Sequence, residues 1–281
     1  DLKSKTRKTN LRILASIPDK GFKTRLVAIV DFWTQLILEP FRSHVQSVIE
    51  DKFAFADFRL DQNLGIAKMV DFQQRCLDND KIEFNGEEIH LDAKHLKFFD
   101  ITSWTDYLHR DLQKITVCKV FTPRFAEAWG QLVVHCPWYH PKSRRTIKYG
   151  QGQGMGTNGS FDVATLTDHL LIKYVDTKYY GGLIHHIQGY GKVGDDLWIY
   201  DPEDRIPELY KEINLPINLK KSKTFCKLGS IAEFCARTFL NSHDVSRISP
   251  NIISKSKSFQ YIPLLLGVCA CRGVQLDATS F

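Results

Sequence analysis

The 281-residue sequence has no apolar run long enough to cross a bilayer as a helix, so no membrane span is expected. The first residues are not expected to be a secretory signal. The basic start Asp1-Leu2-Lys3-Ser4-Lys5-Thr6-Arg7-Lys8 has no apolar core behind it. Asp1 stands where an initiating methionine would, and the expectation is a piece of a longer protein. The seven cysteines are scattered. Cys269 and Cys271 stand close, but no second pair follows at zinc spacing. An odd count without a framework points to free thiols and a reducing compartment. There is no internal repeat and no low-complexity tract.

What is present is an ordinary globular composition, 43% hydrophobic and 25% charged, long enough for one large or two modest domains. A net charge of +6 and a pI of about 8.8 suit a polyanion partner without requiring one. Basic residues cluster at 3–25, 142–148 and 219–227. Each cluster reads equally as a solvated face.

Residues 1–24 read as polar and basic, with a turn at Pro18-Asp19-Lys20-Gly21. Lys23-Thr24-Arg25 leads into the β-rich run 26–30, a buried strand. Helical spacing starts at Asp31, and Pro40 is expected to break or kink that helix. Residues 53–63 read as irregular. A helix is expected around 64–78, then a hairpin or loop at Asn85-Gly86-Glu87. Phe98-Phe99-Asp100-Ile101 reads as a short strand ending in an acid. Ser103 opens a helix with Leu108, Leu112 and Ile115 on one face. Thr122-Pro123 caps another that runs through Val134.

Residues 141–148 form a basic loop, either a contact to a polyanion or a solvated turn. Five glycines then fall within 150–159. They make a loop whose backbone can approach a ligand, followed by a helix over 161–179. A long linker gives the same pattern. No Gly-Lys-Ser/Thr closes the loop, so it is not a P-loop. A strand is expected at 183–189 and another at 197–200, with Gly194-Asp195-Asp196 turning between them. Asp201-Pro202 is expected to cap a helix to Ile213. Residues 213–223 read as a lysine-bearing strand or loop, 230–240 as a helix, and 261–268 as an apolar run. Trp33, Trp129 and Trp138 are expected in the core. His185-His186 is expected to be structural.

Gly-Asp-Asp triplets also occur in plain surface turns. The surrounding order gives this one a chemical task. Two cations about 3.5–4 Å apart need bridging carboxylates from separate elements, and Asp100 and Asp195 are candidates. Lys23 and Arg25 can hold a triphosphate. Lys221 can give a proton to a departing pyrophosphate, though Lys220 and Lys223 compete for that role. Asp106 or Asn158 can bond a ribose 2′-hydroxyl.

The same order resembles motifs F, A, B, C and D of viral RNA-dependent RNA polymerases, and most narrowly those of narnaviruses and mitoviruses, with levivirus replicases more distant. Motif F is Lys23-Thr24-Arg25-Leu26-Val27-Ala28-Ile29-Val30 with the segment to Gln35. Motif A is Asp100-Ile101-Thr102-Ser103-Trp104-Thr105-Asp106, whose two acids have five residues between them, a spacing that points to this branch. Residues 152–161 resemble motif B, Gly194-Asp195-Asp196 motif C, and Asn218-Leu219-Lys220-Lys221-Ser222 motif D. Ala232-Glu233-Phe234-Cys235-Ala236-Arg237 is similar to a further family segment. Trp104 and Tyr107 depart from the usual motif A. Gly154 stands where mitoviruses often have proline, which leans to the narnavirus side.

The resemblance implies an α+β fold: a right-hand polymerase palm with an antiparallel sheet, helices packed on it, and partial fingers and thumb. Residues 1–97 would be fingers-type elements with motif F, 98–228 the palm, and 229–281 the end of the palm and start of the thumb. It implies RNA synthesis from ribonucleoside triphosphates on an RNA template, with magnesium or manganese, in the host cytoplasm or alternatively the mitochondrion. Asp100, Asp195 and Asp196 would be metal ligands, and Asp106 and Asn158 would select ribose. Lys23 and Arg25 would hold the triphosphate. Gly154 and Gly156 would give the motif B loop its mobility. Two alternatives stand: a reverse transcriptase-like palm enzyme, and an inactive RNA-binding remnant of an integrated virus.

Overall fold

The computed structural model describes residues 11–19, 23–225, 231–240 and 243–270. In chain order the first half holds β1 (Arg12–Asp19), β2 (Lys23–Val30), α1 (Phe32–Phe53), α2 (Gln62–Leu77), β3 (Lys81–Phe84), β4 (Glu87–His90), β5 (Leu96–Asp100), α3 (Trp104–Tyr107), α4 (Arg110–Val120) and α5 (Pro123–Gly130). A π-helical turn over Gln131–His135 follows. Then come β6 (Trp138–His140), β7 (Arg145–Ile147), α6 (Ser160–Tyr180), α7 (Leu183–His186), β8 (Tyr190–Val193), β9 (Asp196–Tyr200) and α8 (Arg205–Glu212). The chain continues with β10 (Lys223–Phe225), β11 (Ile231–Phe234), β12 (Arg237–Leu240), β13 (His243–Asp244), α9 (Pro250–Lys255) and α10 (Ile262–Ala270). The fold is mixed α and β, with sheets that are largely antiparallel.

The chain divides into two compact units, Asp1–Asp57 with Ile101–Gly182 and Arg205–Ile217, and Phe58–Asp100 with Leu183–Asp204 and Asn218–Phe281. The first carries the sheet β2-β1-β6-β7 and helices α1, α3 to α6 and α8. Its core gathers Leu38, Phe41, Val45, Ile49 and Phe53 of α1 with Val117, Trp129, Val133 and Val163. A smaller cluster of Leu14, Ala28, Val30 and Trp138 underlies the sheet. The second unit carries the antiparallel sheet β10-β5-β9-β8. β5 lies between β10 and β9 and is almost wholly buried, with Lys97 enclosed along with Leu96, Phe98 and Phe99. Phe98 faces Trp198 across the ladder, and Phe72 of α2 lies 5.5 Å from the Trp198 ring.

Several local expectations fail for identifiable reasons. Pro40 does not break α1, which runs unbroken over 22 residues. The proline removes one backbone donor, and the buried stripe from Leu38 to Phe53 holds the helix together. The basic N-terminal region hides β1, which pairs with β2 over eight positions. The helix expected from Ser103 is two: α3 ends at Tyr107, and His109 caps α4 by accepting from Asp111 N at 3.2 Å. Leu108 is buried, but on α4 it is Gln113, Thr116 and Val117 that face inward, and Ile115 is exposed. Residues 183–186 are a helical turn, because Gly181 and Gly182 both hold left-handed φ and the strand starts only at Tyr190. Asp201 is fully buried, with its N–H on the His95 carbonyl, and α8 starts only at Arg205. The 141–148 loop is the turn and second strand of the β6–β7 hairpin. Residues 231–240 are a hairpin rather than a helix. Ala232, Phe234 and Phe239 are buried while Ile231 and Leu240 are exposed, which is strand alternation. Trp33 is 68% exposed, whereas Trp129 and Trp138 are core.

Candidate active site

The acids expected to work together share one end of the β5–β9 ladder. Asp100 ends β5 and is the direct cross-strand partner of Asp196, the first residue of β9. Val193 pairs with Asp196, so Gly194-Asp195 is a two-residue hairpin loop. Gly194 has φ +60, the backbone such a loop demands at its first position. Asp195 is exposed at the tip and Asp196 half-buried. Two like charges directly opposite on a ladder repel. Burial first, then the charges of Asp195 and Asp100, push Asp196 up to about 7, against the pull of Lys221 and Lys192.

The segment after Pro216 folds around the end of β5. Asn218 N donates to the Asp100 carbonyl at 2.8 Å, and Lys221 N and Ser222 N donate to the Asn218 carbonyl at 3.0 and 2.8 Å. Asp100 N donates to Ser222 Oγ at 3.3 Å. This turn sets two side chains on the carboxylate. Asn218 Nδ2 donates to Asp100 Oδ2 at 2.9 Å, and Lys221 Nζ to Oδ1 at 2.9 Å. That bond, then the charges of Asp100, Glu233 and Asp196, raises Lys221 above the usual lysine value. Of the three candidate lysines, Lys221 is the one on the carboxylate. Lys220 is exposed, and the side chain of Lys223 lies outside the described residues. Asn218 was not singled out from sequence. Its signal was its place three residues ahead of that lysine, in the turn that must wrap the strand end. Cys235 in the β11–β12 turn is pushed up to about 12 by burial, then by Asp196 and Asp195.

All-oxygen carboxylate donors suit a hard divalent cation, and the repulsion that raises Asp196 is what such a cation relieves. Among the described residues, no three His, Cys, Asp or Glu side chains are gathered as a metal-binding group. The donor set fits in chemistry and charge.

The other expected residues belong to the first unit. Asp106 lies in the one-turn helix α3, and the glycine-rich loop runs along that turn's backbone. Gly152 N donates to the Asp106 carbonyl and Gln153 N to that of Thr105, both at 2.9 Å. Gln151 Nε2 bonds the Tyr107 carbonyl at 2.5 Å. Asp106 keeps an exposed side, yet burial of the rest raises its carboxyl above the usual range. Asn158 is held on α1: its Nδ2 donates to the Gln35 carbonyl and to Glu39 Oε2, each at 2.9 Å. Its N–H donates to Gln35 Oε1 at 2.8 Å, and Gln35 Nε2 returns a bond to the Gly156 carbonyl at 2.8 Å. The loop is therefore docked at both ends.

Its glycines answer to close approach. A Cβ on Gly154 would stand 2.5 Å from the Ala28 Cβ, and one on Gly156, at φ +115, would stand 2.7 Å from the Ala28 carbonyl oxygen. Ala28 N donates to the Met155 carbonyl at 2.6 Å, so the loop lies flat on β2. Arg25 is exposed on β2, and the side chain of Lys23 lies outside the described residues. His186 Nε2 bonds the Glu83 carbonyl at 3.2 Å and its ring lies near Phe84, in keeping with a structural part. No described helix is long and apolar enough to cross a membrane.

Comparison with known proteins gives two kinds of likeness. A family model described as "Mitovirus RNA-dependent RNA polymerase" matches residues 73–266. The chain is 25% identical over 186 residues to the RNA-directed RNA polymerase of Cryphonectria parasitica mitovirus 1 (strain American chestnut tree/New Jersey/NB631). That match spans 66% of this chain and 20% of the relative. Among solved structures, apo telomerase from Candida tropicalis superposes with a TM-score of 0.54 at 10% identity, covering 82% of this chain and 46% of that one. Telomerase from Candida albicans, in complex with a TWJ fragment of telomeric RNA, gives 0.54 at 12% identity, covering 91% and 51%. At such identities the likeness is one of fold.

Proposed function

Because the chain belongs to the mitovirus RNA-dependent RNA polymerase family, we propose that it carries the catalytic centre of template-directed RNA synthesis at the end of β5 and the β8–β9 turn. The observation that carries this reading is the register: Asp100 and Asp196 stand directly opposite, with Asp195 beside them on the turn. Asp100, Asp195 and Asp196 would hold magnesium or manganese. Such an ion, when bound, neutralises phosphate charge and lowers the pKa of an attacking 3′-hydroxyl. Lys221, held protonated by Asp100, would release its proton to the departing pyrophosphate. Asn218 would orient the Asp100 carboxylate for that work.

On the motif resemblance, Asp106 and Asn158 would select ribose and Lys23 and Arg25 would bind the triphosphate. Gly154 and Gly156 would let the motif B backbone come close to β2 rather than loosen it. The sheet β10-β5-β9-β8 would be the core of a right-hand palm, with 98–228 as palm, 1–97 as fingers-type elements and 229–281 leading to a thumb. RNA template, RNA product and ribonucleoside triphosphates would be the partners. The family match favours replication in the host mitochondrion over the cytoplasm.

The test is incorporation of labelled nucleotides by the complete protein on a defined RNA template. The reading predicts template-complementary ribonucleotide addition. A preference for deoxyribonucleotides, or addition that ignores the template, would overturn it.

A further inference from the structure

Between Glu127 and Asp162 the sequence has no acidic residue. The β6–β7 hairpin falls within that stretch, and Lys142, Arg144, Arg145 and Lys148 are all exposed on it. None of the four forms an ion pair or hydrogen bond to a carboxylate among the described residues. The hairpin is also firmly built. His140 Nδ1 accepts from Ser143 N at 3.3 Å and lies 2.8 Å from Ser143 Oγ. Its Nε2 lies 3.2 Å from Ser16 Oγ of β1, so the ring bridges the turn to the neighbouring strand and its Nε2 carries the proton. Arg144 takes a left-handed φ of +53 to close the turn.

Register then fixes where this tip points. β6 runs parallel to β1, with Ile13 opposite Tyr139. The turn after His140 therefore extends toward the end of β1 that holds Ser16 and Ile17. On the far side of β1, Ile17 pairs with Arg25 of β2. Arg25 and the basic hairpin, more than a hundred residues apart in sequence, thus lie toward the same end of one sheet.

We propose that this sheet end grips an RNA phosphate backbone, with the β6–β7 hairpin as its principal contact. Four cations spread along a hairpin cannot converge on a single phosphate. They match a polyanion that presents charges in series. The tip residues Lys142, Ser143, Arg144, Arg145 and Thr146 are polar, and the exposed apolar side chains Ile17 and Ile147 stand on the strands behind the tip. The choice of RNA as the polyanion rests on the polymerase reading, whereas the placement of the cations does not.

Binding of a labelled single-stranded RNA, without nucleotide and in EDTA, is read by fluorescence anisotropy across a salt series on the complete protein. Replacing Lys142, Arg144, Arg145 and Lys148 with alanine removes four phosphate contacts at about 0.7 each in the log–log salt slope. The slope should flatten by roughly 2–3, and affinity near 0.1 M salt should fall by ~10²–10³-fold. Arg145→Ala with Lys148→Ala, at two exposed positions, should flatten it by about half as much, and Arg145→Lys with Lys148→Arg should restore it. Because binding is read without nucleotide and in EDTA, it separates this inference from the catalytic one. Loss of synthesis with an intact hairpin effect would sink the polymerase reading alone. An unchanged slope in the folded variants would overturn the proposal. So would anionic vesicles showing the same dependence on the four cations.

Discussion

Gly152→Ala is expected to destabilise the first unit by about 2–5 kcal/mol. The added Cβ would stand 2.5 Å from the Asp106 carbonyl carbon and oxygen, and closer still to the Thr105 oxygen, where ordinary contact begins near 3.4 Å. Those atoms are backbone and cannot swing aside. Relief needs the loop to lift by roughly 1 Å, an overpacking strain of about 1–3 kcal/mol. Lifting also weakens the two 2.9 Å bonds from Gly152 and Gln153 to α3, each worth about 1 kcal/mol. Gly150→Ala is the control, because nothing lies within 4 Å of its Cβ position. It should fall within about 0.5 kcal/mol of the parent. Scanning calorimetry on both variants gives the comparison. A drop of roughly 5–15 °C for Gly152→Ala is expected from the size scaling. If both variants melt alike, the loop is a loosely held linker and the close-approach account of its glycines is wrong.

Two further outcomes follow from the packing. Lys97 is buried on β5, and its ammonium pairs with the exposed Asp204 carboxylate. Asp204→Ala strands that charge and should cost up to about 3 kcal/mol in urea unfolding, whereas Lys97→Met in the same chain should recover most of it. Asp31 caps α1, accepting from Thr34 N at 3.0 Å and Thr34 Oγ at 2.6 Å, and these bonds hold its carboxyl below the usual range. Its contribution is present above the unfolded carboxylate pKa and is lost as pH falls through the depressed value. Asp31→Ala should therefore lower the melting temperature at pH 7 and do so progressively less below pH 4.

What the sequence made legible were elements with local chemical signatures. Thr122-Pro123 and Asp31 announce helix starts, and Asn85-Gly86 and Gly194-Asp195 announce two-residue hairpins. The β11–β12 hairpin was not legible because its loop is Cys235-Ala236, both at positive φ without glycine or asparagine. β1 was not legible because its short apolar stretch, Ile13-Leu14-Ala15, sits inside a basic and polar segment, and pairing with β2 makes it a strand. At the site, the acids could be named from the triplet and the spacing of Asp100 and Asp106. Their supports could not: the Asn218 amide on Asp100, and Gln35 and Glu39 on Asn158, depend on chain segments far apart in sequence. The turn that delivers Lys221 rather than its neighbours is likewise a tertiary fact.

The central claim is that the carboxylates at the β5 and β8–β9 end carry RNA synthesis. Asp195 is the most direct probe, since its side chain is exposed on a two-residue loop and its loss leaves the ladder intact. The measurement is the rate of ribonucleotide incorporation by the complete protein, parent against Asp195→Ala, on one RNA template at saturating magnesium. The account predicts a loss of at least ~10²–10³-fold with a melting temperature no lower than the parent's. Incorporation at the parental rate would contradict it.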